Sequence, residues 1–164
     1  MTSYTGGILT ISDKGSRGER EDTSGPQLQA MLTEQGFSVV AYTIVPDEIA
    51  HIQETLRTWA DEKKIDLILS TGGTGVSPSD QTPEATRAIL DREIPGIGEA
   101  MRLASLQKTP NAILSRGIAG IRKQSLIINL PGSKKAAKEN LEAVLPALHH
   151  AIYKIQGGTK DCGS

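Results

Sequence analysis

The chain has a single cysteine among 164 residues, Cys162, so neither an intrachain disulfide nor a multi-cysteine metal site can form. Its place in the closing stretch GGTKDCGS predicts an exposed, incidental thiol. Aromatic residues are almost as scarce: one Phe, one Trp and three Tyr. With a formal net charge of -1, the chain offers neither a basic surface nor a set of rings for stacking on bases, which argues against nucleic acid as a partner. No apolar run approaches the roughly 18 residues of a membrane span, and no basic segment precedes an apolar core at the start, so a cytoplasmic protein with no membrane partner is expected. Internal repeats and low-complexity linkers are missing too. The three histidines, His51, His149 and His150, lie in amphipathic helical patterns without ligand spacing to acids and read as structural or surface residues.

What is present fits one globular unit. At 37% hydrophobic and 23% charged residues the chain can bury a sizeable core, with residues 1–156 forming a single domain and the glycine-containing stretch 157–164 a flexible tail. Short apolar runs alternate with helical patterns, which predicts an α/β fold with a mostly parallel sheet covered on both faces. Strands are expected at Gly7 to Ser12, Phe37 to Val45, Leu67 to Ser70 and Ser125 to Leu130. Helices are expected at Pro26 to Gln35, stopped by Gly36, and around Ile49, Ile52, Leu56 and Trp59. Further helices run from Thr82 to about Arg92 and, after a Pro95-Gly96 break, from Gly98 to about Lys108. A long C-terminal helix is capped by Ser133 and kinked at Pro146.

The densest signal is the segment Leu67 to Thr86, LILSTGGTGVSPSDQTPEAT. An apolar strand enters a glycine-rich turn, then an acid, then a marked helix start, with Thr82 as N-cap, Pro83 at the first position and Glu84 in the first turn. Gly72, Gly73 and Gly75 let a ligand approach the main chain and can aim N–H groups at phosphate oxygens. No lysine follows these glycines, which excludes a P-loop, and Pro78 stands where a dinucleotide fingerprint would continue with glycine. A purely structural strand-to-helix connection remains open for the glycines alone; Asp80 beside them tips the reading toward function. Because ligands of open α/β sheets sit at the carboxyl ends of strands, the candidate positions are Ser12-Asp13, Pro46-Asp47-Glu48, Thr71 to Asp80, and Pro131 to Ser133. Asp47 alone reads first as a cap for the helix beginning near Glu48. Paired with Asp80 at one glycine-lined rim, it would suit a divalent cation that keeps waters and phosphates as its other ligands.

Together, TGGTG followed by the acid of D-x-T-P-E-A-T, PDE upstream and NLPGS downstream resemble the molybdopterin-binding Mog family. The pattern is most similar to the MogA-type molybdopterin adenylyltransferases, related to the G domain of gephyrin, and covers nearly the whole chain from GGILTISDKGSRGEREDTSGP onward. The resemblance implies a three-layer α/β sandwich of the MogA/MoaB-like kind, usually trimeric. It implies transfer of AMP from Mg-ATP to the terminal phosphate of molybdopterin with release of pyrophosphate, the product passing to a separate MoeA-like molybdate-insertion protein. Carried over, Asp47 and Asp80 match acids of catalysis and magnesium handling. Thr71, Gly72, Gly73, Thr74 and Gly75 match the turn lining the pocket, and Pro131, Gly132 and Ser133 the loop contributing to nucleotide or pterin binding. Ser12 and Asp13, with Asp22 and Ser24, match the N-terminal signature. Relatives often carry arginine where this chain has Ser79, which puts a phosphate contact from that position in doubt. Glu99 or Arg102 is expected either at the pocket edge or as an exposed intrahelical pair. A MoaB-like molybdopterin carrier with little transferase activity is the alternative, and a hydrolase, lacking a nucleophile and its base, ranks last.

Overall fold

A computed structural model describes residues 3–161; Cys162 and the last part of the expected flexible tail lie outside them. Six strands form one sheet in the order β2-β1-β3-β6-β5-β4. They are β1 (Thr5–Ile11), β2 (Ser38–Val45), β3 (Leu67–Thr71), β4 (Arg92–Glu93), β5 (Ala119–Arg122) and β6 (Ser125–Leu130). The first four positions run parallel, while β5 is antiparallel to both β6 and β4. Helices α2 (Ser24–Glu34), α5 (Pro95–Leu106) and α6 (Lys134–Ile155) and helices α3 (Ile49–Arg57) and α4 (Thr82–Arg87) complete the layers, with a short α1 (Asp13–Ser16) after β1.

Strand alternation sorts the core into two faces. Ile8, Leu67, Leu69, Leu126 and Ile128 pack with Leu28 and Leu32 of α2, Met101 of α5 and Leu141 and Leu148 of α6. Leu9, Ile68 and Ile127 pack with Ile52 and Leu56 of α3, Trp59, and Ala85 of α4. A mostly parallel sheet sandwiched between helices follows, as expected. Between β3 and β6, the buried pair Ser70 and Asn129 stand opposite each other. The Asn129 amide donates to Ser70 Oγ at 2.9 Å and to Thr86 Oγ1 at 3.1 Å.

Several boundaries differ from the sequence reading. β1 starts at Thr5, not Gly7, because Thr5 and Asp66 exchange hydrogen bonds: Thr5 N–H donates to Asp66 Oδ2 at 2.7 Å and Asp66 N–H to Thr5 Oγ1 at 3.0 Å. Gly7 belongs in the strand because the Trp59 ring covers it; a Cβ there would lie 2.9 Å from the indole. Trp59 itself sits in a π-helical turn, Thr58–Glu62, that closes α3. The helix beginning at Thr82 ends at Arg87, and Arg92 and Glu93 form an edge strand. Asp91 N–H donates to the Ile121 carbonyl and Ile94 N–H to that of Ala119, both at 2.8 Å. Pro95 opens α5 instead of breaking it, since proline loses nothing at a first helical position. The stretch read as apolar from Ala112 to Ile121 divides into a 3-10 turn (Pro110–Leu114) and β5. Helix α6 is continuous through Pro146; that residue and Glu142, whose carbonyl loses its donor, are both exposed, so water can take over. After α6 the chain folds back, with the amides of Thr159 and Lys160 donating to the Tyr153 hydroxyl at 3.1 and 3.2 Å.

The carboxyl ends of the parallel strands finish level: Ile11 pairs with Val45, and Thr71 with both Thr10 and Leu130. Because β1 connects to β2 on one side while β3 lies on the other, the chain reverses its winding there, opening a crevice above β1 and β3.

Candidate functional site

The crevice is built around the turn after β3. Gly72 has φ +106 and Gly73 φ +70, both in the left-handed region that side chains disfavour. Space is equally restrictive: a Cβ on Gly72 would lie 2.3 Å from the Ile11 carbonyl oxygen, and one on Gly73 2.2 Å from Thr82 Oγ1. The Gly72 amide donates to the Leu130 carbonyl at 3.1 Å, so it is committed to the scaffold and cannot serve a phosphate. Those of Gly73, Thr74 and Gly75 donate to no acceptor among the described residues. Thr82 is not the N-cap; Gln81 holds that position without a side-chain cap bond. The buried Thr82 hydroxyl instead donates to the Gly72 carbonyl at 2.9 Å, and its amide to that of Gly73 at 3.1 Å, clamping the turn.

Asp80 is held within the same turn. Its Oδ2 accepts from the Ser77 amide at 3.0 Å, and its own amide donates to the Ser77 carbonyl at 2.9 Å. From behind, Arg116 donates from its backbone to the Thr74 carbonyl (2.8 Å), from Nε to that of Gly75 (2.7 Å) and from Nη2 to that of Asp80 (2.8 Å). Glu84 of α4 pairs with the same guanidinium. Arg116 thus fixes the path of the acid-bearing loop, a role the sequence hid because the residue is thirty or more positions from its partners.

Asp47 does not cap α3; Glu48 occupies that position. Asp47 Oδ2 accepts from the Asp13 amide at 3.0 Å while Asp13 Oδ1 accepts from the Asp47 amide at 2.9 Å, locking the ends of β1 and β2 together. Burial pushes the Asp47 carboxyl above the usual carboxylate range. The Asp13 amide works against that, and the charges of Asp13 and Asp80 add to it. Both acids line one cleft, Asp47 beside Gly73 and Asp80 beside Gly75.

A cleft of about 450 Å³ lies between these groups. Ser12, Asp47, Thr71, Gly72, Gly73, Asp80, Gly132 and Ser133 line it, as do Ser24 and Asp22 from the N-terminal signature. Thr74, Gly75, Pro131 and Asp13 stand behind the lining: the Pro131 carbonyl accepts from the Thr71 hydroxyl at 2.6 Å, and Asp13 braces Asp47. Ser133 caps α6 by accepting from the Ala136 amide at 3.1 Å, so the start of a 22-residue helix faces the cleft, a favourable setting for an anion. Asp22 accepts from Thr10 Oγ1 (2.7 Å), the Gly25 amide (3.0 Å) and the Tyr42 hydroxyl. Burial, with the Asp22 charge and hydrogen bond, pushes the Tyr42 phenol up to about 12. Ser24 Oγ donates to the Gly132 carbonyl at 2.9 Å, tying the N-terminal loop to the LPGS loop.

Arg102 lies outside the cleft and makes no pair with Glu99; it donates to the Gly117 carbonyl at 2.8 Å, joining α5 to the approach to β5. His51 pairs with Glu48 at 3.3 Å, and His149 packs on Phe37 with ring centroids 4.7 Å apart. Arg20, Glu21, Thr23 and Ser79 also line the cleft; the charged and hydroxyl-rich run GEREDTS was the available signal for the first three. Among the described residues no group of three or more His, Cys, Asp or Glu is gathered to hold a metal, and no helix is long and apolar enough to cross a membrane.

An open α/β sheet with an acid-rimmed crevice at its winding reversal places the chain among the doubly wound α/β domains that take ligands at such a reversal. More specifically, the family model described as "Probable molybdopterin binding domain" matches residues 7–150, and the chain belongs to that family. It is 49% identical to gephyrin of Dictyostelium discoideum over 164 residues, covering 94% of this chain and 23% of that protein. To the molybdopterin adenylyltransferase of Helicobacter pylori strain J99 it is 46% identical over 153 residues, covering 92% and 87%. The solved structure of the molybdopterin biosynthesis enzyme MoaB from Thermus thermophilus superposes with TM-score 0.90 at 56% identity, covering 94% and 97%. The chain therefore spans about a quarter of the gephyrin relative and most of the bacterial ones.

Proposed function

We propose that this protein is a molybdopterin adenylyltransferase of molybdenum cofactor biosynthesis, transferring AMP from ATP to the terminal phosphate of molybdopterin and releasing pyrophosphate. The observation that carries the reading is the joint presence, in one cleft, of Asp47, Asp80 and the uncommitted amide of Gly73.

An oxygen of the acceptor phosphate attacks the α-phosphorus of ATP, the bond to the β-phosphate oxygen breaks, and its electron pair leaves with pyrophosphate. Two anions must be brought together, so the protein's task is alignment and charge compensation. The amide of Gly73 and the start of α6 would hold phosphate oxygens, while Ser12 and Ser133 supply hydroxyls. The donor set fits magnesium: two carboxylates without a third, all oxygen, suit an ion carried in with substrate phosphates rather than one caged by protein. Bound there, the ion would neutralise phosphate charge, and Asp47 and Asp80 are the residues to hold it.

Residues 1–156 constitute the working unit in this reading, and the protein acts in the cytoplasm, passing its product to a MoeA-like partner. A trimer is the proposed assembly. The exposed side chains of Leu103 and Leu106 on α5 and of Ile113 and Leu114 on the 3-10 turn supply an apolar face for it, and light scattering of the purified protein would give the copy number.

Anaerobic incubation with molybdopterin and ATP, with and without magnesium, tests the central claim. Pyrophosphate and a pterin heavier by one AMP should appear together and only with magnesium. Binding of molybdopterin without transfer would move the protein to the carrier reading.

A further inference from the structure

Charge in the cleft is lopsided. Glu21, Asp22, Asp47 and Asp80 line it, and Arg20 is the one cation among the lining residues. Other arginines nearby are already engaged: Arg17 pairs with Glu19 at 3.0 Å, and Arg116 is spent on carbonyls and Glu84. Arg20 makes no hydrogen bond or ion pair among the described residues, although it stands two positions from Asp22. The reason lies in Asp22, whose carboxylate is already taken by Thr10, Gly25 and Tyr42. Those bonds anchor the end of the loop that carries Arg20 and leave its guanidinium free. On the opposite wall Ser79 brings a hydroxyl and no charge.

We propose that Arg20 is the polyphosphate clamp of the cleft, its guanidinium holding the β- and γ-phosphates of ATP and the pyrophosphate that leaves. The assignment deepens the transferase reading and rests on it. A planar guanidinium matches two phosphate oxygens at once, and in this role no proton or electron changes hands at the residue.

The test compares wild type with Arg20→Ala and Arg20→Lys, measuring calorimetric binding of magnesium pyrophosphate, Mg-ATP and AMP, the thermal midpoint, and KM for ATP in the transfer assay. Arg20→Ala should weaken pyrophosphate and ATP binding about tenfold or more. It should raise KM for ATP similarly and leave AMP binding and the midpoint unchanged, with Arg20→Lys falling between. Pyrophosphate binding within twofold of wild type in Arg20→Ala would overturn the clamp, as would an equal loss for AMP. If wild type binds pyrophosphate through Arg20 yet transfers no AMP, the transfer reading fails while the clamp stands. If AMP is transferred at the wild-type rate and KM without Arg20, the clamp fails while the transfer reading stands.

Discussion

The two walls of the cleft are made differently. The wall after β3 is fixed through its backbone: Gly72 and Gly73 adopt angles and clearances open only to glycine, Thr82 ties down both of their carbonyls, and Arg116 holds three more. The wall from Ser12 to Thr23 is mostly exposed; main-chain bonds hold it only as far as Glu19, and beyond that it is pinned by the side chain of Asp22, with Ser12 and Asp13 pinning its start. A wall built on main-chain constraint places its acid reproducibly and tolerates little change. A wall pinned by a few carboxylates can vary between its pins, and there Arg20 sits.

Breaking the first wall should have the largest effect. Gly72→Ala forces a side chain against the Ile11 carbonyl at φ +106; loss of all transfer activity together with a lower thermal midpoint is expected, and a normal midpoint would show that the turn has room to relax around a side chain. Asp80→Asn keeps the turn's hydrogen bonds and removes only charge, so circular dichroism should be unchanged while the transfer rate falls about 10²- to 10³-fold; wild-type turnover would remove Asp80 from the mechanism.

Asp47→Asn sharpens the comparison by separating function from stability. The fold favours the protonated form of Asp47, so this group's stabilising contribution is present below its ordinary value and is lost as pH rises through its raised folded value. An asparagine oxygen can still accept from the Asp13 amide. The variant should therefore lose transfer activity by a factor comparable to Asp80→Asn, yet melt at or above the wild-type temperature at pH 7 to 8. That difference should shrink below about pH 4. A marked drop in midpoint at neutral pH would contradict the burial account. Mildest of all, Tyr42→Phe removes one of the three bonds on Asp22 and should cost stability by about 1 kcal/mol or less, raising KM for ATP a fewfold as the Arg20 loop loosens; unchanged kinetics would mean that Thr10 and Gly25 suffice.

Sequence alone located the parallel half of the fold, because β1, β3 and β6 are buried on both faces and read as short apolar runs bounded by turn residues. It missed β4, whose two exposed residues, Arg92 and Glu93, are strand only by pairing with β5. The carboxyl-end rule gathered Ser12, Asp47, Thr71, the first two turn glycines, Asp80, Gly132 and Ser133 at one cleft. What local pattern could not give was partnership. Nothing near Asp47 shows that its amide and carboxylate face Asp13, nothing near Thr82 that its hydroxyl turns back to Gly72, and nothing near Arg116 that three carbonyls await it.

The buried Ser70 and Asn129 pair acts as a ruler for the chemistry above it. A strand advances about 3.3 Å per residue, and a slip of one position turns every side chain to the other face. Moving β3 by one step against β6 would exchange Ile68 and Leu69 between the two cores, part Asn129 from Ser70, and carry Thr71 and the glycine turn out of line with Leu130. The line-up of the strand ends that carry the cleft is therefore set one residue beneath Thr71, by a buried amide and a buried hydroxyl.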